Sequence, residues 1–277
     1  MDKETNESKI NAISSLMIPG KPAMLLNEEK HGKTLVISDL HLGFVYNQNK
    51  KGIIIPVSKQ AEEDLLELIK LHKPRRVIIV GDFKDEIFGS SHPIAGRVWN
   101  FLQRMLKLTR VTIIKGNHDG KVEELLPKNV EVISASGLCI KERDSKKTIG
   151  LWHGHANPAL DVISADITMS AHAHPAYTYR EEIGTKITEK VWVKAKWKET
   201  GNNHERIHII IPAFNRYIEG YSVDGSFFNS IVLMRDGIDL KNAEVFTLDG
   251  ILIGTIEDLQ EARLEFEEEM KEKKKRK

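Results

Sequence analysis

The chain has 277 residues, 40% of them hydrophobic and 29% charged, which fits a globular protein and excludes a fibrous or disordered one. Its 41 Lys and Arg nearly balance 40 Asp and Glu, so a net charge of +1 gives no global field that would draw in a polyanion. One cysteine, Cys139, excludes an intramolecular disulfide and a thiolate zinc cluster; no apolar run approaches the ~18 residues of a membrane-spanning helix, and MDKETNESKINAISS has no apolar core, so a cytoplasmic protein with no membrane partner is expected.

Residues 1–20 read as a polar arm, 21–255 as the main domain and 256–277 as a charged C-terminal helix or tail. KTLVISDLHLG predicts a buried strand over 34–38 that runs into a loop. In SKQAEEDLLELIKLH, Ala61, Leu65, Leu68 and His72 share helical spacing, and RRVIIVGD follows Pro74 as a second strand. The pattern continues with a helix over 94–108, a strand over 111–117, a short helix near 121–126 and a strand over 130–134. Alternation of this kind implies mainly parallel strands covered on both faces. After Gly137, strands dominate: LCIKER and TIGLWHG flank the turn RDSKK, then come TMSAHAH, VWVKAKW and, through ETGNN, IHIIIPAFN. The expected fold is α/β, a two-sheet β-sandwich flanked by helices in an α/β/β/α order. At the end, Leu259, Ala262, Phe266 and Met270 line one helical side before a lysine run that reads as a solvated terminus. The oligomeric state is left open.

Six of the 11 histidines fall in short clusters at predicted strand ends. The clusters are Asp39-Leu-His41, Gly81-Asp82 with Asp85, Gly116-Asn117-His118-Asp119, His153-Gly-His155 and His172-Ala-His174. In a parallel sheet, strand ends gather at one edge, where such folds place ligands. Two-residue spacing on extended backbone aims Asp39 with His41, and His172 with His174, to one side. Carboxylate, amide oxygen and imidazole form a mixed O/N set suited to Mn²⁺, Zn²⁺ or Fe. Seven candidate donors exceed what one tetrahedral ion uses and suffice for two ions sharing a carboxylate. Gly81, Gly116 and Gly154 let the backbone turn tightly beside them. His31, His72, His92, His204 and His208 read as ordinary structural histidines.

The series DLHLG, GDFKDE, GNHDG, HGH and AHAHP resembles the calcineurin-like metallophosphoesterase superfamily over about Leu35 to Pro175. LVISDLHLG, VIIVGDFKDE and the later IPAFN with Gly220 are similar, more narrowly, to small prokaryotic (archaeal-type) phosphoesterases related to a DNA-ligase-associated branch. The resemblance implies a binuclear hydrolase of phosphate mono- or diesters in which a metal-bridging hydroxide attacks phosphorus. It makes Asp39, His41 and His174 ligands of one divalent ion and Asn117, His153 and His172 ligands of the other, with Asp82 bridging. Mn²⁺ is the foremost expected metal, with Fe, Zn²⁺, Ni²⁺ and Co²⁺ as others. His118 becomes the group that faces the leaving oxygen and Asp85 the group that orients it; Asn117, His118 and Lys84 are expected to touch the phosphate-ester substrate. Two positions depart from the pattern. Ala171 replaces the usual glycine, and Asp85 stands where the narrow branch has histidine, which favours a His118–Asp85 pairing and weakens transfer of that branch's substrate. Segments 85–96 and 176–190 are the expected specificity loops. Two alternatives remain: a nuclease, for which KVWVKAKWK at 190–198, alternating as an exposed strand would, is the only basic and aromatic segment, and a metal-binding module without catalysis.

Overall fold

Runs of Val and Ile dictate the strands that carry the site, because β-branched side chains favour extended backbone. The computed structural model describes residues 16–55, 60–86, 92–180, 185–198, 205–226, 228 and 236–275. The first sheet contains β1 (Met24–Glu28), β2 (Gly32–Ser38), β3 (Arg76–Val80), β4 (Arg110–Ile114) and β5 (Glu131–Ile133), in that order. β1 is antiparallel to β2, and the other neighbours are parallel. Helices α1 (Phe44–Lys50), α2 (Gln60–His72) and α3 (His92–Leu106) lie in the connections.

The second sheet has nine strands. They are β6 (Leu138–Lys141), β7 (Thr148–Trp152), β8 (Ile167–Ser170), β9 (Pro175–Arg180), β10 (Lys186–Trp197), β11 (Ile207–Ile210), β12 (Tyr221–Ser222), β13 (Ile238–Thr247) and β14 (Leu252–Thr255). A short α4 (Leu160–Ile163) joins β7 to β8, which are parallel, and β11 is parallel to β8. The chain closes with α5 (Ile256–Lys275).

Period-two alternation distributes the strand residues between layers. Leu35, Ile37, Val77, Ile79, Val111 and Ile113 pack with Leu65, Leu66, Val98 and Leu102 from α2 and α3. Val36, Ile78, Val80 and Ile114 point the other way, onto Ile149, Leu151, Met169, Trp192 and Ile209 of the second sheet. The outer face of that sheet, through Val191, Val193, Ile210 and Val245, is covered by Phe228 and by Ile256 and Leu259 of α5. The result is the expected α/β/β/α sandwich.

Several local expectations need correction. Segment 176–190 is largely the antiparallel β9–β10 pairing rather than a loop; Thr178 faces Thr188, and their hydroxyls lie 2.9 Å apart. KVWVKAKWK is exposed only toward its end: Val191, Trp192, Val193 and Ala195 are buried and Lys194 pairs with Glu244 at 2.6 Å, while Lys196 and Lys198 are exposed. Both faces are covered from Val191 to Val193, so the alternation of lysine with apolar residues does not signal solvent over that part. The expected N-terminal arm lies, through residue 15, outside the described residues, while Met17 and Ile18 are buried. His204 also lies outside them. No helix among the described residues is long and apolar enough to cross a membrane.

Candidate metal centre

The five clusters meet at one end of the sandwich, because each leaves the carboxyl end of a strand in a parallel pair. Asp39 and His41 follow β2, Asp82 and Asp85 follow β3, and Asn117 and His118 follow β4. From the facing sheet, His153 and His155 follow β7, and His172 and His174 follow β8. Extra pairing beyond the strands holds the first two loops together: the His41 N–H donates to the Asp82 carbonyl at 2.8 Å, and that of Leu42 to Phe83 at 2.9 Å.

Eight non-glycine residues among those described have positive φ, and five of them are Asp39 (49°), His41 (44°), Asp82 (46°), His172 (67°) and His174 (41°). Left-handed backbone is disfavoured for L-residues and gathers where surrounding structure holds it for function. Glycines provide the room. A Cβ on Gly81, itself at φ +77°, would overlap the His153 ring, and one on Gly116 would overlap Asp82.

The donors converge. His41, Asp39 and His174 offer atoms within 4.8 Å of one another, as do Asp82, His153 and His172. One oxygen, Asp82 Oδ2, lies 3.4 Å from His41 Nε2 and 3.3 Å from His153 Nε2. Asn117 Oδ1 lies 3.2 Å from His153 Nε2, and His174 Nε2 lies 3.1 Å from Asp39 Oδ1. Neighbouring acceptors select the imidazole tautomers. His153 Nδ1–H donates to the Val80 carbonyl at 3.1 Å and His41 Nδ1–H to Asp85 Oδ1 at 3.1 Å, so both Nε2 lone pairs face inward.

Electrostatics fits a cation. Asp39 is fully buried and Asp82 nearly so, and their recorded ion-pair partners are histidines rather than Lys or Arg. Burial opposes ionisation of Asp82, but the hydrogen bond and charge of His153, then His41 and the His118 N–H, hold its carboxyl well below the usual carboxylate range. Burial likewise opposes charge on His153, yet Asp82 and Asp39 raise it to about 9, while burial and the neighbouring His153 push His172 down to about 4. Asp39 Oδ1 and Oδ2, His41 Nε2 and His174 Nε2 are buried and make no hydrogen bond. Buried polar atoms without partners are costly, and an O/N set of this kind is satisfied by divalent metal ions, whose binding releases the protons that otherwise balance the carboxylates.

Two expected roles are placed differently. The Asp85 carboxylate serves His41 and Asn47, whose Nδ2 donates to Oδ2 at 2.7 Å, while His118 Nδ1 faces the Asp85 backbone carbonyl instead. The His118 ring remains beside the centre, 4.9 Å from that of His41. Lys84 is turned inward and fully buried, and its ammonium is taken by the carbonyls of Glu86 and His118.

Sequence reasoning missed the braces. Buried Asp119 accepts from the N–H groups of Gly116 at 2.8 Å and of Phe83 and Lys84 at 3.2 Å, tying the β3 and β4 loops together. Asn215 donates its Nδ2 to the Leu40 carbonyl at 3.0 Å and its N–H to the Asp39 carbonyl at 3.3 Å, and Lys190 caps the carbonyls of Ala213 at 2.6 Å and Asn215 at 2.5 Å. The motif IPAFN with Gly220 was the available signal for Asn215. Lys190 sits in an alternating strand and carried none; burial pushes its ammonium down to about 7, with Asp39 opposing.

Comparison with solved structures gives similar folds. The nuclease MPE of Pseudomonas putida is 15% identical with a TM-score of 0.50, over 82% of this chain and 97% of that one. A phosphoesterase of E. coli, YfcE, is 17% identical with a TM-score of 0.36, over 80% and 96% of the two chains. Vps29 of Entamoeba histolytica complexed with Zn²⁺ is 15% identical with a TM-score of 0.31, over 68% and 79%. No functionally curated protein matches. The calcineurin-like phosphoesterase family matches residues 32–275, a span that contains all five donor clusters. The chain therefore belongs to the calcineurin-like phosphoesterase family, and it is a metal-dependent phosphoric ester hydrolase.

Proposed function

We propose that the chain hydrolyses phosphate mono- or diesters at a pair of divalent cations, Mn²⁺ foremost. The observation that carries this reading is the position of Asp82, whose single oxygen Oδ2 lies within 3.4 Å of His41 Nε2 and 3.3 Å of His153 Nε2, between two donor groups. Asp39, His41 and His174 would hold one ion, Asn117, His153 and His172 the other, and Asp82 both. When bound, such a pair lowers the pKa of water and neutralises charge that develops on the phosphate.

The protein's own groups do the rest. Asp85 and the Val80 carbonyl keep the His41 and His153 rings aimed inward. His118, with Nδ1–H given to the Asp85 carbonyl, presents Nε2 to the departing oxygen; protonated there, it donates the proton that an alkoxide needs.

The test uses the Mn²⁺-loaded protein with bis(p-nitrophenyl) phosphate and with alkyl phosphate esters. Turnover separates an enzyme from a metal-binding module. His118→Asn should keep the metal and slow alkyl esters more than p-nitrophenyl esters, toward the ~10²–10⁴-fold typical of general acid catalysis. Equal slowing of both ester classes would make His118 a phosphate-positioning group, and absence of turnover with every metal and ester would refute the proposal.

A further inference from the structure

The donors of the two ion positions are fastened by different parts of the chain. The segment 211–220, between β11 and β12, belongs to no strand or helix, yet it crosses from the second sheet to the first and back. It leaves the second sheet at Ile211, whose N–H donates to the Ser170 carbonyl at 2.7 Å. It then lies along the end of β2. Ser38 Oγ donates to the Pro212 carbonyl at 3.2 Å, and the Phe214 N–H donates to the Ser38 carbonyl at 2.9 Å. Asn215 follows, with its N–H on the Asp39 carbonyl at 3.3 Å and its Nδ2 on the Leu40 carbonyl at 3.0 Å. On its return, the Tyr221 N–H donates to the His174 carbonyl at 2.9 Å. The chain can pass there because residue 220 is glycine: a Cβ would run into the His174 carbonyl oxygen and Ala176.

One strap therefore holds the backbone of both Asp39 and His174. Their side chains meet at 3.1 Å within one donor group, and both have positive φ, 49° and 41°, which persists only where neighbours impose it. The other donor group is fastened elsewhere. The Val80 carbonyl holds the His153 ring at 3.1 Å, the Ala171 N–H donates to the His153 carbonyl at 3.0 Å, and Asp119 grips the Gly116 N–H beside Asn117 at 2.8 Å.

A segment without a ladder needs other partners for its carbonyls. Lys190 of β10 supplies them, since its Nζ donates to the carbonyls of Ala213 at 2.6 Å and Asn215 at 2.5 Å, on either side of Phe214. We propose that Lys190 is a positioning residue for one ion position alone. By latching the strap it fixes Asp39 and His174, so occupancy of the position they share with His41 depends on it, whereas the position of Asn117, His153 and His172 does not. This inference rests on the two-cation reading of the centre.

Calorimetric titration of the metal-free full chain with Mn²⁺ reads both positions without turnover. The wild-type protein should take up two ions. Lys190→Met keeps the length of the side chain and removes its donors; it should weaken one class of site by roughly 10–100-fold, as outer-shell substitutions do, and leave the other unchanged. His174→Ala identifies the class, because it should remove the one that Lys190→Met weakens, while His172→Ala removes the other. Asn215→Ala acts further along the strap and should weaken the same class, and it carries the test alone if Lys190→Met does not fold. The double variant should lose little more than either single one, because both substitutions act through one segment. A lysine that only stabilised the fold would lower Tm without separating the two classes. Equal weakening of both classes in a folded Lys190→Met, or wild-type uptake at both in Lys190→Met and Asn215→Ala, would overturn the latch and leave the two-cation reading standing. Uptake of a single ion by the wild-type protein would overturn that reading, and the selectivity of the latch with it.

Discussion

Gly116→Ala adds one methyl group where the backbone passes directly against Asp82. Its Cβ would fall 2.9 Å from Asp82 Cγ and nearer still to Asp82 Oδ1 and N, while the backbone at Gly116 is one that alanine adopts without strain, so the perturbation is steric. Asp82 has little freedom to retreat, since it is buried at φ 46° and its Oδ1 accepts the His118 N–H at 2.9 Å. Relieving the overlap moves the carboxylate and breaks that bond. Overpacking costs about 1–3 kcal/mol, and losing a hydrogen bond to an ionised acceptor about 1.5–3 kcal/mol. The sum, roughly 2.5–6 kcal/mol, is a large part of the ~5–15 kcal/mol that holds a domain folded. The variant should still fold, with a lowered Tm, and should lose metal from both positions at once because Asp82 serves both. Elemental analysis after dialysis and thermal unfolding with and without Mn²⁺ read this directly. Gly96→Ala is the control: it sits exposed in α3 with nothing within 4 Å of the added Cβ, and it should stabilise by about 0.5–1 kcal/mol. Normal metal content and an unchanged Tm in Gly116→Ala would refute the bridging position of Asp82.

Asp85→Ala should weaken metal binding by roughly 10–100-fold, because it frees the His41 ring whose Nδ1–H it holds; a metal titration showing wild-type affinity, with only turnover reduced, would return Asp85 to an action on His118. His208, fully buried between Thr168 and Ser170, is pushed down by burial from 6.5 to about 3. The unfolded chain thus takes up a proton before the folded one does, so the contribution of His208 is complete above pH 6.5 and is lost as pH falls toward 3. Urea unfolding of wild type should weaken more steeply over that window than His208→Gln, by up to ~5 kcal/mol at its acid end, and parallel curves for the two proteins would contradict this.

The contrast between what was legible and what was not follows from how local each signal is. β2, β3 and β4 are short apolar runs that end at Asp39, Asp82 and Asn117, and a run of that kind declares both a buried strand and the edge where its donors gather. The roles of Asp85, Lys84, Lys190 and Asn215 depend instead on partners brought by other loops. Asp85 meets His41 across 44 positions, and Asn215 meets Leu40 across 175. Composition misled over the first part of 190–198 for a related reason: Lys190 and Lys194 are capped by carbonyls and a carboxylate, and no local pattern distinguishes them from the exposed Lys196 and Lys198. Nor does residue type reveal the positive φ of Asp39, His41, Asp82, His172 and His174. Such backbone costs about 1–3 kcal/mol per residue, so it persists only where neighbours hold it. Asn215, braced by Lys190, clamps Asp39 and Leu40, and Asp119 ties the loop after β3 to the one after β4. The donors are therefore written locally, while the aim of each donor is imposed by distant residues. Substitutions at those braces should disturb metal affinity before they disturb the strands, because the strands keep their own packing in the cores on either side.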